Sequence, residues 1–193
     1  MTLARVRVPV ETDAELAAGA AAGDAAMFRE LYRRHVARVH ALLVRLVGPI
    51  AEIDDLTQQV FIALHRALPT FRGDCELSTF VHKMVVHTAY DHLRRLRWRR
   101  TVPLDDDAID AMVAPGPTPE VRAQERERLA TLFGLLARLK PKKRVAFVLV
   151  AIEAMSLAEA AALVGAKPQA MKQRMLAARR ELGAQLERAG GQR

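Results

Sequence analysis

Residues 101–120 contain five acidic side chains, no basic one, and prolines at positions 103, 115, 117 and 119. A segment so charged and so rich in proline buries little apolar surface and is expected to be an extended linker. It divides the 193-residue chain into two blocks that must each build a core. The apolar fraction is 51%, enough for two modest cores, while aromatics are only 5%. The apolar mass is mainly Ala, Leu and Val, which favours helices over sheets. The expected fold class is therefore all-α: two small helical domains joined by an extended acidic linker. The expected boundaries are a flexible arm over 1–23, a first domain over 24–100, the linker over 101–120, a second domain over 121–188 and a tail over 189–193.

Charge follows the same division. Residues 1–100 hold 15 basic and 11 acidic side chains, and residues 121–193 hold 15 basic and 6 acidic. Two basic blocks flanking an acidic strip suggest two surfaces that meet a polyanion. The longest unbroken apolar run, 145–152, is far short of the roughly 20 residues of a membrane span. The N-terminus lacks the pattern of a secretory signal. These readings place the protein in the cytoplasm, without membrane insertion.

In the first block Asp24 is placed to cap a helix. Phe28, Leu31, Tyr32, Val36, Val39, Leu42, Leu43, Leu46 and Val47 follow at helical spacing, and Gly48-Pro49 ends the run. A second helix is expected over 52–68, with Leu56, Val60, Phe61, Leu64 and Leu68 on one side. A loop over 70–76 carries Phe71-Arg72-Gly73-Asp74. A third helix is expected over 77–97, with Phe80, Val81, Met84, Val85, Thr88, Ala89 and Leu93 facing inward. Its end runs into Arg94, Arg95, Arg97, Arg99 and Arg100, with Trp98 among them. Such arginines suit phosphate contacts, and equally suit a solvated helix end through the helix dipole.

In the second block a helix is expected over 121–139, on Leu129, Leu132, Phe133, Leu136 and Leu139. Another follows Pro141, over 142–154. Ser156 and Glu159 then form a capping box. A short Ala-rich helix ends at Gly165, and Pro168 opens another. Met171, Met175 and Ala178 share the inward face of that last helix, leaving Gln169, Lys172 and Gln173 outward near its start. Arg174, Arg179 and Arg180 lie further round or along. This is a helix-turn-helix pattern whose second helix has side chains suited to base edges and phosphates. An ordinary helical hairpin with a solvated basic face is the alternative.

Four stretches carry a family resemblance: FRELYRRHVARVHALLVRLVG (28–48), DLTQQVF (55–61), ALPTFRG (67–73) and DHLRR (91–95). They resemble region 2 of bacterial sigma factors of the sigma-70 family, in the two-domain extracytoplasmic-function (ECF) group. Residues 139–149 and 156–182 resemble region 4. The resemblance spans about 24–188 and implies a sigma factor that directs core RNA polymerase to promoters. It implies that Asp55, Gln58, Gln59 and Phe61 dock on the clamp helices of the largest polymerase subunit. It assigns the −10 promoter element to Phe71, Arg72, Asp74 and Cys75 of the loop and to Lys83, His87, Arg94, Arg95 and Arg97 of the third helix. It assigns the −35 element to Lys167, Gln169, Lys172, Gln173, Arg174 and Arg179. The linker would lie in the polymerase RNA channel, with Asp105, Asp106, Asp107 and Asp110 in place of phosphates. An anti-sigma partner is also implied. Four positions depart from the family pattern: Gln59 for an acid, His87 for Asn, Lys167 for a Ser cap and Ala177 for a basic residue.

Other chemistry is not suggested. His35 and His40, and His82, His87 and His92, recur every five residues, which places neighbours on different helix faces and argues against a metal site. Cys75 is the lone cysteine, which excludes a disulfide framework. Asp54-Asp55 point apart on a helix, and no phosphate-cradling loop or nucleophile elbow is present. The sequence implies no enzyme activity and no cofactor. A stand-alone helix-turn-helix regulator is the competing function, and an interaction adaptor with a decayed DNA-reading surface is a third. The acidic strip between two basic domains favours the sigma reading.

Overall fold

The structure, a computed structural model, describes residues 11–96, 104–113 and 118–190. The regular elements among them are all helical. The first lobe contains α1 (Asp13–Ala21), α2 (Ala25–Val47), α3 (Ile53–Ala67), a 3-10 turn at Leu68–Thr70, and α4 (Leu77–Leu96). Helix α5 (Asp106–Met112) follows, then the second lobe: α6 (Pro119–Ala137), α7 (Pro141–Phe147), α8 (Leu157–Leu163) and α9 (Pro168–Gly190). Helix α7 continues through a π-helical turn, Val148–Ile152.

The first lobe is built by α2, α3 and α4 packing their apolar stripes together. Leu31, Leu42, Leu43, Leu46, Leu56, Val60, Leu64, Val85 and Ala89 are among its fully buried members. Asp24 caps α2 as its position suggests, accepting from the Ala26 and Met27 amides at 2.8 and 3.2 Å. Burial on α4 is shifted from the expected stripe. Phe80, Met84 and Thr88 are half-buried, while Val86 and His92 are buried.

The expected arm over 1–23 is corrected over its second half, where α1 forms. Thr12 and Glu15 make a capping box. The Thr12 amide donates to the Glu15 carboxylate at 2.7 Å, and the Glu15 amide donates to Thr12 Oγ1 at 3.2 Å. Leu16 is fully buried, with Ala17 and Ala20 beside it. Asp13 then ties α1 to α2 through His35 Nε2 at 2.8 Å and Arg34 Nη1 at 3.1 Å. One large apolar residue among alanines gives a weak periodic signal, yet it is enough to dock a two-turn helix whose end is capped.

The expected extended linker is corrected over its described part. Asp105 caps α5, accepting from the Asp107 and Ala108 amides at 3.0 and 3.2 Å. Ile109 is 1% exposed. Arg126 of α6 pairs with Asp106 at 3.1 Å and Asp110 at 2.6 Å. Acidic residues at a helix start are favoured by its dipole, so the charge that suggested an open chain helps wind this turn.

In the second lobe α7 and α8 both pack on α9. The capping box at Ser156 and Glu159 forms as read, at 2.8 and 3.2 Å. Gly165 sits at φ +61°, a left-handed turn between α8 and α9 that a side chain would strain. Met171, Met175, Ala178 and Leu182 are the buried stripe of α9. Lys143 pairs with Glu181, joining α7 to α9.

The two lobes do not stand apart. Helix α4 packs on α7 and α8, and one contiguous buried core runs through both lobes.

Candidate nucleic-acid interface

On α9 the buried stripe sets the direction of everything else. With Met171, Met175 and Ala178 inward, Gln169, Lys172, Gln173, Arg179 and Arg180 are exposed and Arg174 is half-buried. Lys167 is exposed just before the first turn, where the Met171 amide donates to its carbonyl at 3.1 Å. The outward polar face anticipated from the sequence is therefore present at the start of a 23-residue helix.

The first lobe offers a second polar surface. Arg72, Gly73, Asp74, Cys75 and Glu76 are all exposed in the loop before α4. Phe71 is half-buried, its ring 4.8 Å from that of Phe80, so it anchors the loop rather than standing free. Lys83, His87, Arg94 and Arg95 are exposed along α4. Arg97, with Trp98, Arg99 and Arg100, lies outside the described residues.

A third surface lies on α3. Asp55, Gln58 and Gln59 are exposed. Phe61 is only 4% exposed, and its ring centroid lies 4.5 Å from that of Tyr32. It floors an apolar depression of about 300 Å³ shared with Phe28, Ile62 and His65. The projecting apolar groups here are Ile62 and Tyr32, at 44% and 42% exposure. Ile62 is an isoleucine off the apolar stripe of an amphipathic helix, a signal present in the sequence; Tyr32, expected on the inward stripe of α2, projects instead.

Sequence reasoning missed how these surfaces are arranged. His87, Tyr90 and Asp91 of α4 face Lys142 of α7 and Lys167 and Arg174 of the helix-turn-helix across a cleft of about 420 Å³. Two of the four positions that depart from the family pattern, His87 and Lys167, thus line one cleft. Arg45 of α2 in the first lobe pairs with Glu153 of the second, with Arg45 Nη2 3.2 Å from Glu153 Oε2. Arg144 is 3% exposed, and its Nε and Nη2 have no hydrogen-bond partner among the described residues. Burial pulls its guanidinium down to about 10. His92 is also buried, its Nε2 without a partner among the described residues. Desolvation lowers its pKa, Glu52 opposes that shift and Arg95 adds to it.

Among the described residues no group of three or more His, Cys, Asp or Glu side chains is placed to hold a metal ion. Among them, too, no helix is long and apolar enough to cross a membrane.

Comparison with known proteins accounts for both lobes. Sigma-70 region 2 matches residues 31–99, and Sigma-70, region 4 matches residues 130–182. The ECF RNA polymerase sigma factor SigM of Mycobacterium tuberculosis is 34% identical over 172 residues, 89% of this chain and 83% of its own length. The RNA polymerase sigma factor CnrH of Cupriavidus metallidurans is 32% identical, covering 93% of this chain and 96% of its own. The solved structure of CnrH in complex with the cytosolic domain of CnrY superposes with a TM-score of 0.64 at 27% identity, covering 92% of this chain and 98% of that one. RpoE of Bartonella quintana, solved with the anti-sigma factor NepR, shares the fold at a TM-score of 0.56 and 18% identity, over 83% of this chain and 96% of that one. With both regions matched in order and relatives aligned along most of their length, the chain belongs to the extracytoplasmic-function sigma factors of the sigma-70 family.

Proposed function

We propose that this sigma factor divides promoter recognition between its two lobes, with α9 reading the −35 element and the 71–76 loop and α4 reading the −10 element. Membership of the family means that the chain binds core RNA polymerase and directs promoter-specific initiation. The observation that carries the division of labour is the two-faced α9. Its methionines are locked inward, so Gln169, Lys172 and Gln173 project together from its first turns, the part of a recognition helix that meets base edges. On α4, Lys83, His87, Arg94 and Arg95 are exposed, as are residues 72–76 of the loop before it, and Arg97 extends the same assignment. The functional units on this reading are 24–100 and 121–188, with α1 as a brace on the first.

Polymerase docks on the exposed face of α3, through Asp55, Gln58 and Gln59, with Phe61 as the floor beneath projecting Ile62. The chain contributes no catalysis; the chemistry is the polymerase's, and the site of action is the cytoplasm. An anti-sigma factor is a further partner, supported by the complexes in which CnrH and the Bartonella protein were solved. Run-off transcription with core polymerase and a promoter library tests the whole reading. The expected result is selection of a −10 and a −35 motif at fixed spacing, and no selected motif would overturn it.

A further inference from the structure

A large apolar side chain stands on the polar face of α9. Leu176 is 44% exposed, three residues after Gln173 and four after Lys172. At about 100° per residue it lies about 20° from Gln169, about 40° from Lys172 and about 60° from Gln173 around the helix axis. By the same count it lies about 100° or more from Met171, Met175, Ala178 and Leu182, the buried stripe. It therefore belongs to the outward face and not to the rim of the core. Ala177 follows it, so no charged side chain crowds that step of the face.

A single exposed leucine is ordinary on a protein surface; its company gives it meaning. Tyr32 and Ile62 project over the depression floored by Phe61, and Leu132 and Leu186 share another with Leu135 between α6 and α9. Those side chains have apolar neighbours. Leu176 instead shares its face with Gln169, Lys172, Gln173 and Arg180, all of them exposed. Whatever covers Gln173 covers Leu176 as well.

In the major groove thymine presents a methyl group beside its O4 acceptor, while adenine, guanine and cytosine are read through donors and acceptors alone. Leucine has neither donor nor acceptor, so against those three bases it leaves polar groups dehydrated and unpaired. We infer that Leu176 is a specificity-determining residue of the −35 helix, packing on the C5-methyl group of a thymine one base pair from the base read by Gln173. The register follows from helix geometry: three residues rise about 4.5 Å, close to one base-pair step of about 3.4 Å. The inference rests on the assignment of α9 to the −35 element and adds an apolar contact to its polar ones.

The test uses holoenzyme assembled from core polymerase and the full chain. Library selection gives the wild-type −35 motif, and each thymine of that motif, on either strand, is then replaced singly by deoxyuridine, which lacks only the methyl group. The wild type should bind one of these promoters about fourfold more weakly than its thymine parent, the worth of one methyl group taken out of water. Leu176→Ala should bind that pair equally while keeping the preference at the base read by Gln173. Leu176→Met, which retains an apolar reach, should keep the discrimination. Both variants should melt as the wild type does, because the side chain is exposed. Equal deoxyuridine losses in wild type and Leu176→Ala would overturn the assignment, as would a selected −35 motif in which no thymine methyl matters. Selection of no −35 motif at all would instead remove α9 from the −35 element, and Leu176 with it.

Discussion

Arg144 lies directly beneath Gly48: a Cβ on that glycine would stand 3.2 Å from the guanidinium Nη2. Gly48 also has φ +97°, a conformation that side chains rarely adopt. The end of α2 therefore requires glycine for its backbone and for the close approach of the second lobe.

Gly48→Ala should lower stability by about 1–3 kcal/mol, the usual range for a strained backbone position. Arg144→Met should act oppositely, raising it by roughly 1–4 kcal/mol, because an unpartnered buried charge is replaced by an apolar group of similar reach. Urea unfolding of both variants measures the two effects.

His92 makes stability depend on pH. Its folded pKa is depressed from 6.5 by desolvation, so the neutral ring is favoured in the fold. As pH falls through 6.5 the unfolded chain takes up the proton first. Stability is thus full above about 6.5 and declines below it, until the folded value is reached. Unfolding midpoints from pH 7.5 to 5.5 should fall more steeply in the wild type than in His92→Leu.

On α9, Gln173→Ala should change the selected −35 sequence, at a cost of about 1–3 kcal/mol at the base it reads. Arg179→Ala should weaken all −35 sequences alike and lower the salt slope of binding by about one. Library selection with each mutant holoenzyme separates base reading from phosphate contact.

The exposed side chain on the docking face is Ile62, at 44% exposure. Ile62→Glu should cut core polymerase binding at least tenfold with the circular dichroism spectrum unchanged. Phe61→Ala should instead destabilise the lobe by about 3–5 kcal/mol, since its ring is buried. Co-purification and thermal melting of the two variants distinguish a contact from a core residue.

The order and extent of the main helices were legible because their signals are local. The cap at Asp24, the Ser156–Glu159 box, the turn at Gly165 and the inward run of Met171, Met175 and Ala178 each lie within a turn or two of chain. The polar face of α9 follows from the same periodicity. Helix α1 was hidden because a single buried leucine carries its packing, and α5 because Ile109 alone gives the acidic stretch an inward side. How the lobes meet rests on contacts between distant parts of the chain. The Arg45–Glu153 pair joins residues 108 positions apart, and Arg144 reads as an ordinary basic residue near a helix start until the fold buries it against Gly48. A helical repeat specifies which residues share a face; which distant face covers it depends on how two complete surfaces fit, and no local spacing encodes that.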